Sequence, residues 1–255
     1  MDISLKTGVV LFVLGLAGVF SLLTATIPIE LPPEVTERFT TQQLKWLLLI
    51  NPVIFLTISV ALGIAFAHKS GLRAPLIESF FRSKDSLTDF FPGLKIGAAS
   101  GLLAGIVVGL FSWALMPFLP PEMQALEQKM EVPFLVKFLY GGITEEVLMR
   151  WGWMSLLVWL GWKIFRRKSE HPTDSVFWVA IFISAVIFGL GHLPLVFSAL
   201  GADAVTPLLI SYIIVGNSVV GILAGWLFWK KGLEAAMLAH IFAHIGMMTV
   251  AYFQS

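Results

Sequence analysis

The chain contains no cysteine. Disulfides, thiol nucleophiles and thiolate metal sites are therefore excluded together. It is also poor in charge: 13% of its 255 residues are Asp, Glu, Lys or Arg, against about 25% in a soluble domain. A net charge of +1 leaves no electrostatic footprint for nucleic acid, and none is expected as a partner.

What is present is apolar. Hydrophobic residues make up 57% of the chain and fall in long runs between clumps of charge. A helix needs about 20 mostly apolar residues to cross a ~30 Å hydrocarbon layer. Seven segments qualify, at roughly 7–28, 44–67, 94–118, 133–164, 175–198, 205–229 and 233–253. They predict an all-α polytopic membrane protein in membrane lipid, a single transmembrane domain over 1–255. An eighth span follows if a re-entrant piece is hidden among them. The first run is long for a signal peptide and has poor cleavage signals, so it reads as a retained span. The fourth would reach ~48 Å as an upright helix. It is expected to tilt, protrude or break, with Gly141-Gly142 and Gly152 as weak points. Between spans two and three, Leu76 to Phe91 is amphipathic, with Phe80, Phe81, Phe90 and Phe91 beside Arg82 and Lys84. It predicts a helix lying in the interface.

Basic residues set the orientation. With the N-terminus in the cytoplasm, cytoplasmic segments hold Lys6, Lys69, Arg73, Arg82, Lys84, Lys95, Lys163, Arg166, Arg167, Lys168, Lys230 and Lys231. The other side holds Arg38, Lys45, Lys129 and Lys137. The C-terminus is then expected outside, in an inner (plasma) membrane of bacterial type. Span three carries Gly97, Gly101, Gly105 and Gly109, and span six Gly221 and Gly225. Small residues at this spacing let helices approach closely in lipid, within the chain or across a dimer. Internal packing is the simpler reading, and the oligomeric state stays open.

Span four contains Gly141-Gly142-Ile143-Thr144-Glu145-Glu146-Val147-Leu148-Met149-Arg150. A charge at a span centre costs about 2.5–3.5 kcal/mol on insertion scales, so such groups are functional candidates by default. Glu146 and Arg150 are four apart and share a helix face. Glu145 and Arg150 are five apart, about 140° around an α-helix. Glu146 is therefore the expected partner of Arg150, which leaves Glu145 free to act on water. Three histidines join them. His192 lies in span five, two residues before Pro194. His240 and His244 lie four apart in span seven. His68 and His171 fall in basic loops and read as surface residues. A carboxylate beside an imidazole can take a proton from water as it attacks a carbonyl. Imidazole N–H groups can stabilise the resulting oxyanion. Glu145, His192, His240 and His244 are also suitable zinc ligands.

Glu145-Glu146-x-x-x-Arg150, then Phe188-x-x-x-His192, then His240-x-x-x-His244 resemble the three ordered motifs of the CPBP family, the CAAX-type and bacteriocin-processing intramembrane proteases. The resemblance covers roughly residues 130–250, and the first three spans carry no motif. It implies an endopeptidase acting on a membrane-associated protein or peptide. In it Glu145 activates water with help from His192, and His240 and the residue four later line the oxyanion side. Glu146, Arg150 and Phe188 are supporting residues. The last motif position is usually asparagine and here is His244, which can also donate a hydrogen bond. No cofactor is favoured, and zinc held by Glu145, His192, His240 and His244 is the alternative. His-Glu-x-x-His, Gly-x-Ser-Gly and Gly-x-Gly-Asp are all absent. Two non-hydrolytic readings compete: a silent scaffold or bacteriocin-immunity protein, and a proton-linked transporter, since buried Glu and His also serve proton relays.

Overall fold

A computed structural model of the chain describes residues 2–26, 33–82, 87–129, 132–165 and 169–254. The order is α1 (Ile3–Ser21), α2 (Pro33–Arg38), α3 (Thr41–Leu48), α4 (Ile50–Phe66), α5 (Pro75–Ser79), α6 (Phe91–Leu115), α7 (Pro121–Lys129) and α8 (Phe134–Val136). Two π-wound stretches follow, Lys137–Thr144 and Val147–Met154. Then come α9 (Ser155–Phe165), α10 (Asp174–Leu200), α11 (Pro207–Lys231) and α12 (Leu233–Tyr252). The fold is all-α, as expected, with no strand among the described residues. Of the basic residues used for orientation, Lys84, Arg166, Arg167 and Lys168 lie outside the described residues.

Six helical segments among the described residues are long and apolar enough to cross a membrane: Ile3–Thr24, Thr41–Phe66, Thr88–Phe118, Asp174–Leu200, Pro207–Lys231 and Leu233–Tyr252. Large apolar side chains on their outer faces stay exposed, such as Leu103, Val107, Trp113 and Val179. Lipid satisfies them there, and helix winding satisfies the backbone. The fourth expected segment is helical over 134–165, but its α winding gives way to π winding on both sides of the two glutamates. π turns are rare and concentrate at functional sites. Here neighbouring helices hold them. Thr144 Oγ1 donates to Gly15 O at 2.9 Å, while Trp151 is fully buried and packs against Gly63. Ser70 Oγ donates to Ser155 O at 3.4 Å, and the eleven residues of α9 continue along α4 and the start of α10, with Trp159 on Phe66 and Gly161 beside Val176.

Gly141, Gly142 and Gly152 are points of close approach rather than breaks. A Cβ on Gly142 would strike Ile241, and one on Gly152 would strike the Ser59 backbone. The glycine stripe of α6 is internal. A Cβ on Gly97, Gly101 or Gly105 would overlap the carbonyl oxygens of Ala235, Ala239 and Ala243 respectively. The α6 and α12 backbones therefore nearly touch, the geometry small residues permit in lipid.

The stretch expected to lie in the interface contains α5, a turn through Phe80 and Phe81, and a 3₁₀ turn at Leu87–Phe90 leading into α6; residues 83–86 lie outside the described residues. His68, read from sequence as a surface residue, is instead part of a network around Glu78. Glu78 is 1% exposed and bonds His68 Nε2 at 2.8 Å, Arg73 Nε at 2.9 Å and Ala74 N at 3.1 Å. Burial opposes its ionisation, but the hydrogen bonds and charges of His68 and Arg73 outweigh that and hold its carboxyl down at about 2. A depressed carboxylate stabilises the fold above its ordinary value of 4.5, and that stability is lost as pH falls through about 2. The thermal midpoint in detergent is expected to fall as pH drops from 4.5 to 2, and Glu78→Gln should flatten that part of the curve. An unchanged slope in the variant would refute the assignment.

Candidate active site

Four helices converge on the acidic motif. Glu145 and Glu146 form the α-wound step between the two π stretches, and the second stretch carries Arg150; α10 carries Phe188 and His192; α11 lends Gly221; α12 carries His240 and His244. The two glutamates differ in surroundings. Glu146 is 0% exposed and Glu145 keeps 18% of its side chain exposed. Only Glu145 can therefore meet a molecule from outside.

Glu146 stands between two partners. Its Oε2 lies 3.2 Å from Arg150 Nε, at an angle that makes an ion pair rather than a hydrogen bond. Its Oε1 lies 2.7 Å from His240 Nδ1. The α-helical angle that separated Glu145 from Arg150 does not apply through Val147–Met154, because π winding brings residues five apart over one another. The separation comes from the pairing itself. Arg150 is fully buried, donates from Nη2 to Gly221 O at 2.9 Å, and sits 5.2 Å over the Phe188 ring. A Cβ on Gly221 would come 3.3 Å from that Nη2. The Gly221–Gly225 spacing was legible as a packing feature. That its carbonyl faces the arginine was not, because sequence gives no backbone direction between helices.

The histidines are oriented by these contacts. A carboxylate only accepts hydrogen bonds, so Nδ1 of His240 carries the proton shared with Glu146. Its Nε2 then faces Glu145 Oε2 at 3.7 Å. His192 Nδ1 lies 2.8 Å from Phe188 O. A carbonyl also only accepts, so in the neutral ring Nε2 of His192 is left bare as a base. α10 stays helical through Pro194. The Phe188 ring stands edge-on to His192 at 4.8 Å and to His240 at 5.7 Å, fixing both imidazoles. His244 stacks on His240 at 5.0 Å between centroids. Its Nε2 is buried with no hydrogen-bond partner in the protein, and a Cβ on Gly141 would collide with it. The structure thus brings Glu145, Glu146, Arg150, Phe188, His192, His240 and His244 together, and leaves His68 and His171 elsewhere.

The donor set bears on zinc. Glu145, His192, His240 and His244 are chemically competent ligands. As arranged here, however, no three His, Asp or Glu side chains among the described residues are grouped to share one metal ion. Nδ1 of His240 and of His192 are held by Glu146 and Phe188 O, an arrangement that leaves both Nε2 atoms open and is shared by metal-bound and metal-free imidazoles.

Residues 128–246 match the family model described as "Type II CAAX prenyl endopeptidase Rce1-like". The match spans just under half of the chain and all three motifs. No curated protein and no solved structure matches the chain.

Proposed function

We propose that this chain, which through residues 128–246 belongs to the CPBP family of CAAX-type intramembrane endopeptidases, hydrolyses a peptide bond of a membrane-associated protein or peptide with water activated by Glu145. The observation that carries the reading is the asymmetry of the two adjacent glutamates. Glu146 is sealed between Arg150 and His240, and Glu145 is partly exposed beside Nε2 of His240.

In this mechanism Glu145 takes a proton from the attacking water, assisted by the bare nitrogen of His192. The substrate carbonyl oxygen gains negative charge as the C–O bond forms. The Nε2 of His244, buried without a partner, donates to that oxygen when protonated there, with His240 beside it. Collapse of the tetrahedral intermediate breaks the C–N bond. The amine leaves with the proton Glu145 had taken. Glu146 does no chemistry; it fixes the His240 ring, as second-layer carboxylates fix imidazoles.

Purified protein in proteoliposomes, offered a library of membrane-anchored peptides, tests the reading directly. Cleavage is expected, and should persist at about its full rate after exhaustive chelation. Loss of activity with chelator, restored by zinc, would overturn the glutamate mechanism. Uptake driven by a pH gradient, with no peptide cut, would overturn hydrolysis altogether.

A further inference from the structure

Among the described residues, two buried carboxylates lie outside the site: Glu78, 1% exposed, and Glu234, 8% exposed. Both belong to one polar cap where the α4–α5 connection meets the start of α12. Arg73 O accepts from Leu233 N at 3.1 Å, satisfying one of the orphan donors of the α12 N-terminus. Glu234 Oε1 accepts from Ile77 N at 2.8 Å. Gly232 turns the chain into α12 at φ +102°, and a Cβ there would strike Pro75; a left-handed residue in such close contact suits only glycine. On its other side the cap grips the π-wound helix. The His68 ring stands edge-on to Trp151 at 6.2 Å, and Ser70 reaches Ser155 O. Glu78 ties these halves through His68, Arg73 and Ala74 N.

The α6–α12 seam makes this cap consequential. Glycine against alanine at Gly97, Gly101 and Gly105 gives close approach without interlocking side chains, and Val250 seats on Gly109 only at the far end of the seam. Such a seam holds two helices together while opposing axial sliding weakly. The cap at the α12 N-terminus therefore adds an axial restraint to those that His240, Ile241 and His244 make with the motif helix. From Glu234 to His240 is only six residues, ~9 Å along the helix.

We infer that the cap over residues 68–79 is a positioning clasp, in which Glu78 and Glu234 set the register of α12 so that His240 meets Glu145 and Glu146. Glu78 and Glu234 are positioning residues that touch no reacting atom. The inference rests on the reading of Glu145 and His240 as the catalytic pair.

Its test has an activity arm and a geometry arm. Glu234→Leu removes the acceptor for Ile77 N–H. It is expected to lower kcat about 10- to 100-fold, the scale of an ångström-sized misplacement, with KM held within about twofold. Glu234→Gln keeps an acceptor oxygen and should restore kcat to within about twofold of the parent. For geometry, the cysteine-free chain takes spin labels at Ile54→Cys on α4 and Met248→Cys on α12, both exposed on the outer surface. Their distance distribution should shift or broaden in Glu234→Leu and return in Glu234→Gln. Arg73→Gln, at a side chain 43% exposed, loosens Glu78 from outside and should move both readouts the same way to a smaller extent. That variant decides the matter if Glu234→Leu does not fold. Parental kcat, or an unchanged distance distribution with lowered kcat, overturns the clasp. Absence of cleavage by the parent protein would sink the hydrolytic reading alone, and the distance arm still decides whether the cap sets register.

Discussion

Glu145→Gln is expected to lower kcat by about 10²–10⁴-fold, the contribution of a positioned general base, while KM and the thermal midpoint stay near the parent's. The amide is isosteric, so packing is kept. It cannot accept the water's proton, so the chemical step is lost. The partly exposed position of Glu145 is what makes stability separable from activity here, because no buried cation depends on its charge; Arg150 pairs with Glu146. The check is a peptide-cleavage time course beside a melting curve in detergent. Full activity in Glu145→Gln would remove the basis for the whole catalytic scheme.

The spans and the ordered motifs were legible because they rest on rules that act along one segment: apolar length, charge cost and the i, i+4 face. The Glu146–Arg150 ion pair is of this kind, though the structure reaches it through winding that the α-helical angle did not anticipate. π winding was hidden because its cause lies in other helices. Gly18 of α1 and Ser59 and Gly63 of α4 press on the motif helix and Gly15 O accepts from Thr144, and no periodicity within 133–164 records them. Glu78 and Glu234 also went unread. Glu234 bonds a backbone N–H on a distant segment, Ile77 N, while the partners of Glu78 are near in sequence but lie in an irregular connection with no periodicity to mark them. His68 shows the converse error: a loop position, basic neighbours and a ring that nevertheless bonds a buried acid.

Arg150→Met should be the most destabilising of the single substitutions considered. Glu146 and Arg150 are both 0% exposed, and removing one partner of a buried ion pair costs about 3–5 kcal/mol because the other charge is left uncompensated. Arg150 also gives up its bond to Gly221 O and its place over Phe188. Glu146→Leu alone should cost a similar amount, since it strands the guanidinium. Buried ion pairs replaced by apolar side chains of similar volume are often neutral in stability, so the double variant Glu146→Leu/Arg150→Met is expected to recover most of the lost midpoint. It should not recover activity. His240 Nδ1 would have lost the carboxylate that fixes its proton and ring, and removing the orienting carboxylate of a catalytic histidine costs on the order of 10⁴-fold where it has been taken away from a serine-protease triad. Denaturation midpoints and kcat measured on the same three variants separate the two roles. Stability that returns with activity would mean that Glu146 serves packing alone, and that His240 needs no partner to keep its free nitrogen turned towards Glu145.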